Sequence, residues 1–243
     1  MNILVIGDSC RDIFVYGSID RMSPEAPVPV IVPAYQKENA GMAGNVAANL
    51  KSLGANVTLI TNKQEIKKIR FVDQRYNHMV LRVDEGDKCE RINNVNLDYS
   101  DYDAVIISDY CKGFLKEEDI EYISENCLCP TFLDTKKSLG DWCNKIDYIK
   151  INNFEYERNK TNIINNKILK DKIITTQGKR GCVYRQEIFP TQEVPVKDVS
   201  GAGDTFISGL VVEYIKTRDI RKSIEFAQQC TTQVVQKTGV ATV

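Results

Sequence analysis

The sequence predicts an α/β protein with a mostly parallel central sheet, helices on both faces and a small β flap. Two patterns carry that expectation. Short, continuously apolar runs, the mark of strands buried on both faces, alternate with longer segments whose apolar residues recur at helical spacing. Such alternation implies βαβ crossovers and a parallel sheet. The third observation is one of scale: 243 residues, 42% hydrophobic and 27% charged, suffice for a real core, and residues 1–243 read as one domain.

Taken in order, 3–6 is the first strand. Residues 12–34 contain Ser23-Pro24-Glu25-Ala26-Pro27-Val28-Pro29-Val30, too proline-rich for a helix and too apolar for a free linker. A helix over 44–53 and a strand over 57–60 follow. Residues 69–84 alternate as an antiparallel pair does, and with 12–34 they form the expected flap. Next come a strand at 104–107, a helix at 116–126 and strands at 131–133 and 148–151. The Asn- and Lys-rich stretch 152–172 reads as compositional bias on a solvated face. A strand at 172–175 and helices at 201–216 and 220–236 complete the chain. In such sheets the site lies beyond the carboxyl ends of the strands.

Composition excludes several functions. The 32 Lys and Arg nearly cancel the 33 Asp and Glu, so no general basic field favours nucleic acid or anionic lipid. No run approaches the roughly 18 apolar residues of a membrane span. The start, Met1-Asn2-Ile3-Leu4-Val5-Ile6-Gly7-Asp8, lacks the charged opening and cleavage site of a signal peptide, which predicts a cytoplasmic protein. The eight cysteines are scattered and read as reduced core residues. Cys127 and Cys129 have no second pair at zinc spacing, and the one histidine, His78, is distant.

The motif richest in chemistry is Asp198-Val199-Ser200-Gly201-Ala202-Gly203-Asp204-Thr205, which enters a long amphipathic helix. Small residues at a helix start leave unpaired N–H groups approachable, and the helix dipole adds positive potential, so Gly201, Ala202 and Gly203 suit an anion. A phosphoryl group in transfer fits there, with Asp204 at the edge to accept the proton of an attacking hydroxyl.

This motif resembles the signature of the ribokinase-like carbohydrate kinases, in which the acidic residue at the place of Asp204 is the catalytic base. Thr176-Gln177-Gly178-Lys179-Arg180-Gly181 resembles the nucleotide loop of that family, and Asn152-Asn153-Phe154-Glu155 its Asn-x-x-Glu motif, which helps position magnesium. The N-terminal half, from Gly7-Asp8-Ser9-Cys10-Arg11-Asp12 through Arg21-Met22-Ser23-Pro24-Glu25-Ala26-Pro27, is similar to the heptose-7-phosphate kinases, the kinase half of bifunctional ADP-heptose synthases. Gly41-Met42-Ala43-Gly44-Asn45 resembles their sugar-binding helix, and Ser108-Asp109-Tyr110-Cys111-Lys112-Gly113 and Asp134-Thr135-Lys136 resemble further elements of them.

The resemblance implies an ATP-dependent kinase acting on a phosphosugar. Asp8, Asp12, Gly41 and Asn45 would meet sugar hydroxyls, while Lys68, Arg70 and Lys112 are candidate cations for the sugar's phosphate. Asn152, Lys136, Thr176, Gly178, Lys179 and Gly181 would serve the nucleotide, and Glu155 the magnesium. ATP and Mg²⁺ are the implied cofactors; a monovalent cation, a homodimer through the flap, a different sugar and a non-catalytic binding descendant stay open. The chain departs from the pattern at Met42, where a second glycine is usual and the side chain either crowds the sugar or enters the core. Ile151 stands where a proline is common. Between Asn62 and Lys67 a segment of roughly one βαβ unit is missing, and Val243 falls before a final helix and any nucleotidyltransferase domain.

Overall fold

The computed structural model describes all 243 residues. Its main sheet has eight strands: β1 (Asn2–Gly7), β4 (Asn56–Ile60), β7 (Ala104–Asp109), β8 (Thr131–Thr135), β9 (Tyr148–Asn152), β10 (Ile173–Thr176), β11 (Cys182–Tyr184) and β12 (Glu187–Phe189). They run in the order β12-β11-β10-β9-β8-β7-β1-β4. From β4 to β10 every pairing is parallel; β11 and β12 add an antiparallel margin. Period-two alternation divides the strands between two cores. Ile3, Val5, Ala104 and Ile106 pack toward α1 (Ala43–Ser52), α5 (Ala202–Thr217) and α6 (Ile220–Val234). Leu4, Ile6, Val105 and Ile107 face the opposite way, with Ile120 and Ile123 of α2 (Glu117–Asn126) and Ile163 of α3 (Asn153–Asn165).

The second sheet is a lid of order β3-β2-β5-β6, formed by β2 (Ser9–Met22), β3 (Pro29–Met42), β5 (Lys67–Asp73) and β6 (His78–Glu85). It is larger than the flap expected over 12–34 and 69–84. Prolines hid the extent of β3, yet Pro29 and Pro33 are tolerated because β3 is an edge strand with no ladder to complete on its outer side. Register shifts on either side of Gly17 and Ile19 bend β2. A side chain at Gly17 would lie 2.4 Å from the Val32 carbonyl oxygen, so the bend needs glycine.

Residues 152–172 are mostly exposed, as a solvated face is, and they form two helices that the composition did not show, α3 and a short α4 (Lys167–Lys170). The cause is local. Asn152 Oδ1 accepts from the Glu155 N–H and Glu155 Oε2 from the Asn152 N–H, both at 2.8 Å, a capping box that starts α3. At the other margin β4 is the terminal strand, and the chain crosses to β5 through residues 61–66 alone. Asn62 staples that crossing: its amide donates to the Ser9 and Gln64 carbonyls and its Oδ1 accepts from the Ser9 N–H. No helix is long and apolar enough to cross a membrane.

Candidate active site

The carboxyl ends of β1, β7, β8 and β9 meet the start of α5 under the lid. Gly201 caps α5 in the left-handed region at φ 78°. A side chain there would stand 2.6 Å from Asn45 Nδ2, and one at Gly203 would stand 2.7 Å from Lys150 Nζ. The two glycines therefore let the helix start lie directly against α1 and β9. Asp204, 4% exposed, follows in the first turn. Its Oδ2 accepts from Asn45 Nδ2 at 2.8 Å and its Oδ1 from the Tyr110 hydroxyl at 2.7 Å. Burial pushes the Asp204 pKa up to about 6; the hydrogen bonds from Tyr110 and Asn45 and the Lys150 ammonium oppose that rise, whereas Asp134 adds to it.

Beside Asp204 lies a buried charge network. Lys150 Nζ sits 2.7 Å from Asp134 Oδ2, the two side chains 4% and 1% exposed. Asp134 Oδ1 has no hydrogen-bond partner; Lys136 Nζ stands 3.8 Å from it and also pairs with Glu155. Burial pulls the Lys136 ammonium down, but Asp134 and Glu155 outweigh it, leaving its pKa above the ordinary lysine value. Asn152 and Glu155 thus serve first as a helix cap and a cation partner.

The expected sugar-side residues divide into two groups. Asn45 reaches the cleft through Asp204, as just described. Asp8 is fully buried and gathers a loop: its oxygens accept from the backbone N–H of Tyr110, Lys112 and Phe114. Burial and the nearby Asp109 nevertheless hold its pKa above the usual carboxylate value. Asp12 pairs with Arg70, and Lys112 with Asp87. Lys68 lies over the Tyr110 ring. Gly41 allows close packing, since a side chain there would stand 2.4 Å from Asp12 Oδ2. Met42, at φ 59°, points into a small cluster with Cys10 and Ile66, so it enters the core rather than the sugar space.

On the other side of Gly203, Thr176, Gly178, Gly181, Ala202 and Gly203 line a single cavity of ≈120 Å³ with Thr191, Phe206, Gln228 and Thr231. Lys179 is exposed on the loop beside it. Sequence reasoning missed Tyr110, Lys150, Thr191 and Gln228 as site residues. A signal existed for Lys150, a lone charge inside the apolar run of β9, where only a paired cation is tolerated.

The profile of the pfkB family carbohydrate kinases matches residues 74–243. The chain belongs to the pfkB family of carbohydrate kinases. This pfkB-family chain is a phosphotransferase. It is 30% identical over 291 positions to bifunctional protein HldE of a Nitratiruptor species, covering 99% of this chain and 62% of that protein. It is likewise 30% identical to the HldE protein of Sulfurimonas denitrificans over 297 positions, covering 99% and 62%. The chain thus spans about 62% of the length of these curated relatives. Against 243 residues, the 291 aligned positions leave about fifty without a counterpart here. Among solved structures it is similar to ribokinase from Thermotoga maritima (TM-score 0.72, 15% identity, 98% of this chain and 94% of that one). It is also similar to ribokinase from Cryptococcus neoformans in complex with ADP (TM-score 0.68, 14% identity, 98% and 94%). These likenesses establish the ribokinase-like fold.

Proposed function

We propose that the protein transfers the γ-phosphoryl group of ATP to a hydroxyl of a phosphosugar, with the anomeric hydroxyl of heptose 7-phosphate as the acceptor. One observation carries the reading: a buried carboxylate, Asp204, held on both oxygens at the mouth of a glycine-lined helix start. In this reading Asp204 takes the acceptor's proton, and the N–H groups around Gly201, Ala202 and Gly203 receive the phosphoryl oxygens. Lys150 and Lys136 add fixed positive charge where the transferred group passes. Heptose 7-phosphate as acceptor rests on the N-terminal motifs and on the HldE relatives.

The nucleotide is assigned to the cavity that joins Thr176, Gly178 and Gly181 to Ala202 and Gly203. Gly178 takes φ 59° with nothing within 4 Å of where a side chain would begin, so its backbone is open to a ligand. Magnesium fits the donor set in one respect: Asp134 keeps a buried carboxylate oxygen without a partner, next to Glu155. Those two residues would hold a hydrated Mg²⁺ carried on the phosphates, and the ion would neutralise phosphate charge. The lid's exposed apolar side chains, among them Val32 and Leu81, support a homodimer formed through the lid. The deciding experiment is Asp204→Asn with heptose 7-phosphate and ATP: turnover is lost while calorimetric ATP binding persists. Near-normal kcat in that variant would overturn the reading.

A further inference from the structure

Tyr110 follows β7, and one side chain engages three parts of the cleft at once. Its hydroxyl donates to Asp204 Oδ1 at 2.7 Å. Two ammonium groups lie over its ring, Lys68 Nζ of the lid strand β5 at 5.2 Å from the centroid and Lys136 Nζ from just beyond β8 at 5.1 Å. Its backbone N–H is fixed on Asp8 Oδ2 at 2.7 Å, and the next residue, Cys111, takes φ 59°, a left-handed conformation uncommon for a side-chain-bearing residue. The phenol thus stands where an acceptor hydroxyl would have to stand to reach the base. The ring meanwhile engages Lys68, a candidate cation for the sugar's anionic end, and Lys136 on the nucleotide side. With Asn45 on Oδ2 and Tyr110 on Oδ1, each oxygen of the buried carboxylate already has a donor.

We propose that Tyr110 is a displaceable stand-in for the acceptor hydroxyl, which blocks the base until a phosphosugar replaces it and so couples ATP consumption to sugar binding. The inference rests on Asp204 being the base. The exchange conserves contacts: a sugar O–H takes the place of the phenol O–H on Oδ1. Withdrawal of the ring frees the Lys68 ammonium to pair with an anionic group of the incoming sugar, so that an ion pair succeeds a cation–π contact. The side reaction that the tyrosine blocks is hydrolysis. In it, a water oxygen bonds to the γ-phosphorus while the bond from that phosphorus to the β–γ bridging oxygen breaks. ADP leaves with the bonding pair, and the water's proton passes to Asp204 Oδ1. While the phenol donates to that oxygen, it fills the position a water would need in order to reach it.

The test is Tyr110→Phe in the full chain, which removes one oxygen and keeps the ring. ATP hydrolysis without sugar is expected to rise about tenfold or more, with sugar-dependent kcat lowered less than about threefold, so more than one ATP is consumed per sugar phosphorylated. Unchanged sugar-free hydrolysis, or a parallel fall of both activities with a lowered melting temperature, overturns the proposal in favour of a static structural role. Asp204→Asn in the Tyr110→Phe background separates this from the reading it rests on. Loss of the leak supports both, and a persisting leak overturns Asp204 as base whatever Tyr110 does. A second measurement needs no turnover. Heptose 7-phosphate added to the native protein without ATP is expected to give a tyrosine ultraviolet difference spectrum that Tyr110→Phe lacks; binding seen by calorimetry with no such spectrum refutes displacement.

Discussion

Strand β7 of the main sheet buries all of its residues, whereas strand β6 of the lid buries none, and the two walls of the cleft treat charge accordingly. On the sheet side Asp134, Lys150 and Asp204 are removed from water and held by one another and by neutral donors. On the lid side the pairs of Arg11 with Glu38 and Lys67 with Glu85 stay half-exposed, and Arg70 with Asp12 is the buried exception. Desolvated charge has large electrostatic leverage, and solvated charge has little. Under the proposed function, rate and proton transfer fall to the sheet wall and sugar retention to the lid wall. Substitutions on the sheet side therefore act on kcat and stability, and substitutions on the lid side act on KM.

The sharpest way to break that division is Asp204→Asn, for which we expect a loss of kcat on the order of 10²–10⁴-fold or more, with ATP affinity retained by calorimetry. Next in size is Lys150→Met. It leaves Asp134 as an unpaired buried carboxylate, and denaturant unfolding should show a loss of about 3–5 kcal/mol, partly restored by adding Asp134→Leu. On the sugar side of the cleft, Lys112 pairs with an Asp87 side chain that is 54% exposed. Lys112→Ala is expected to cost less than about 1 kcal/mol in the same measurement; equal losses for the two lysines would erase the contrast. Arg70→Ala is expected to raise the sugar KM about tenfold with kcat within about twofold, because it removes a lid cation without touching Asp204, and also to lower stability, because it leaves the buried Asp12 carboxylate unpaired.

The smallest effect is a pH limb. As the proposed base, Asp204 works only when ionised, and burial has raised its pKa to about 6. The ratio kcat/KM is therefore full above that pH and falls as pH drops through it, by about tenfold per further unit. A limb near the ordinary aspartate value would show that the carboxylate is solvated in the working enzyme. Lys112→Ala should leave the limb in place, since Lys112 is not among the groups that shift Asp204.

The parallel core was readable because each of its strands is an uninterrupted apolar run, and the order of strand and helix then limits the topology. The lid was readable only in part. Prolines, which the edge strand β3 permits, hid its run to Met42, and the register shifts around Gly17 hid the full length of β2. Strands β11 and β12, joined through Arg185 and Gln186 at positive φ, are too short to show a period. In the site, the motif around Asp204 pointed to an anion and a base. That Asn45 holds the base, that Glu155 caps a helix and pairs with Lys136, and that Asp8 gathers a loop are consequences of tertiary contact. Residue type alone leaves open whether a polar side chain faces a ligand or another side chain.

The two hydrogen bonds on Asp204 link it to residues 159 and 94 positions earlier in the chain. Contacts of such long sequence separation carry the heaviest loop-closure entropy and form late on a folding pathway. A refolding chain should therefore recover its helical signal well before its ability to phosphorylate. Stopped-flow dichroism run beside a timed activity assay would measure the interval, during which a chain with its helices already formed remains unable to consume ATP.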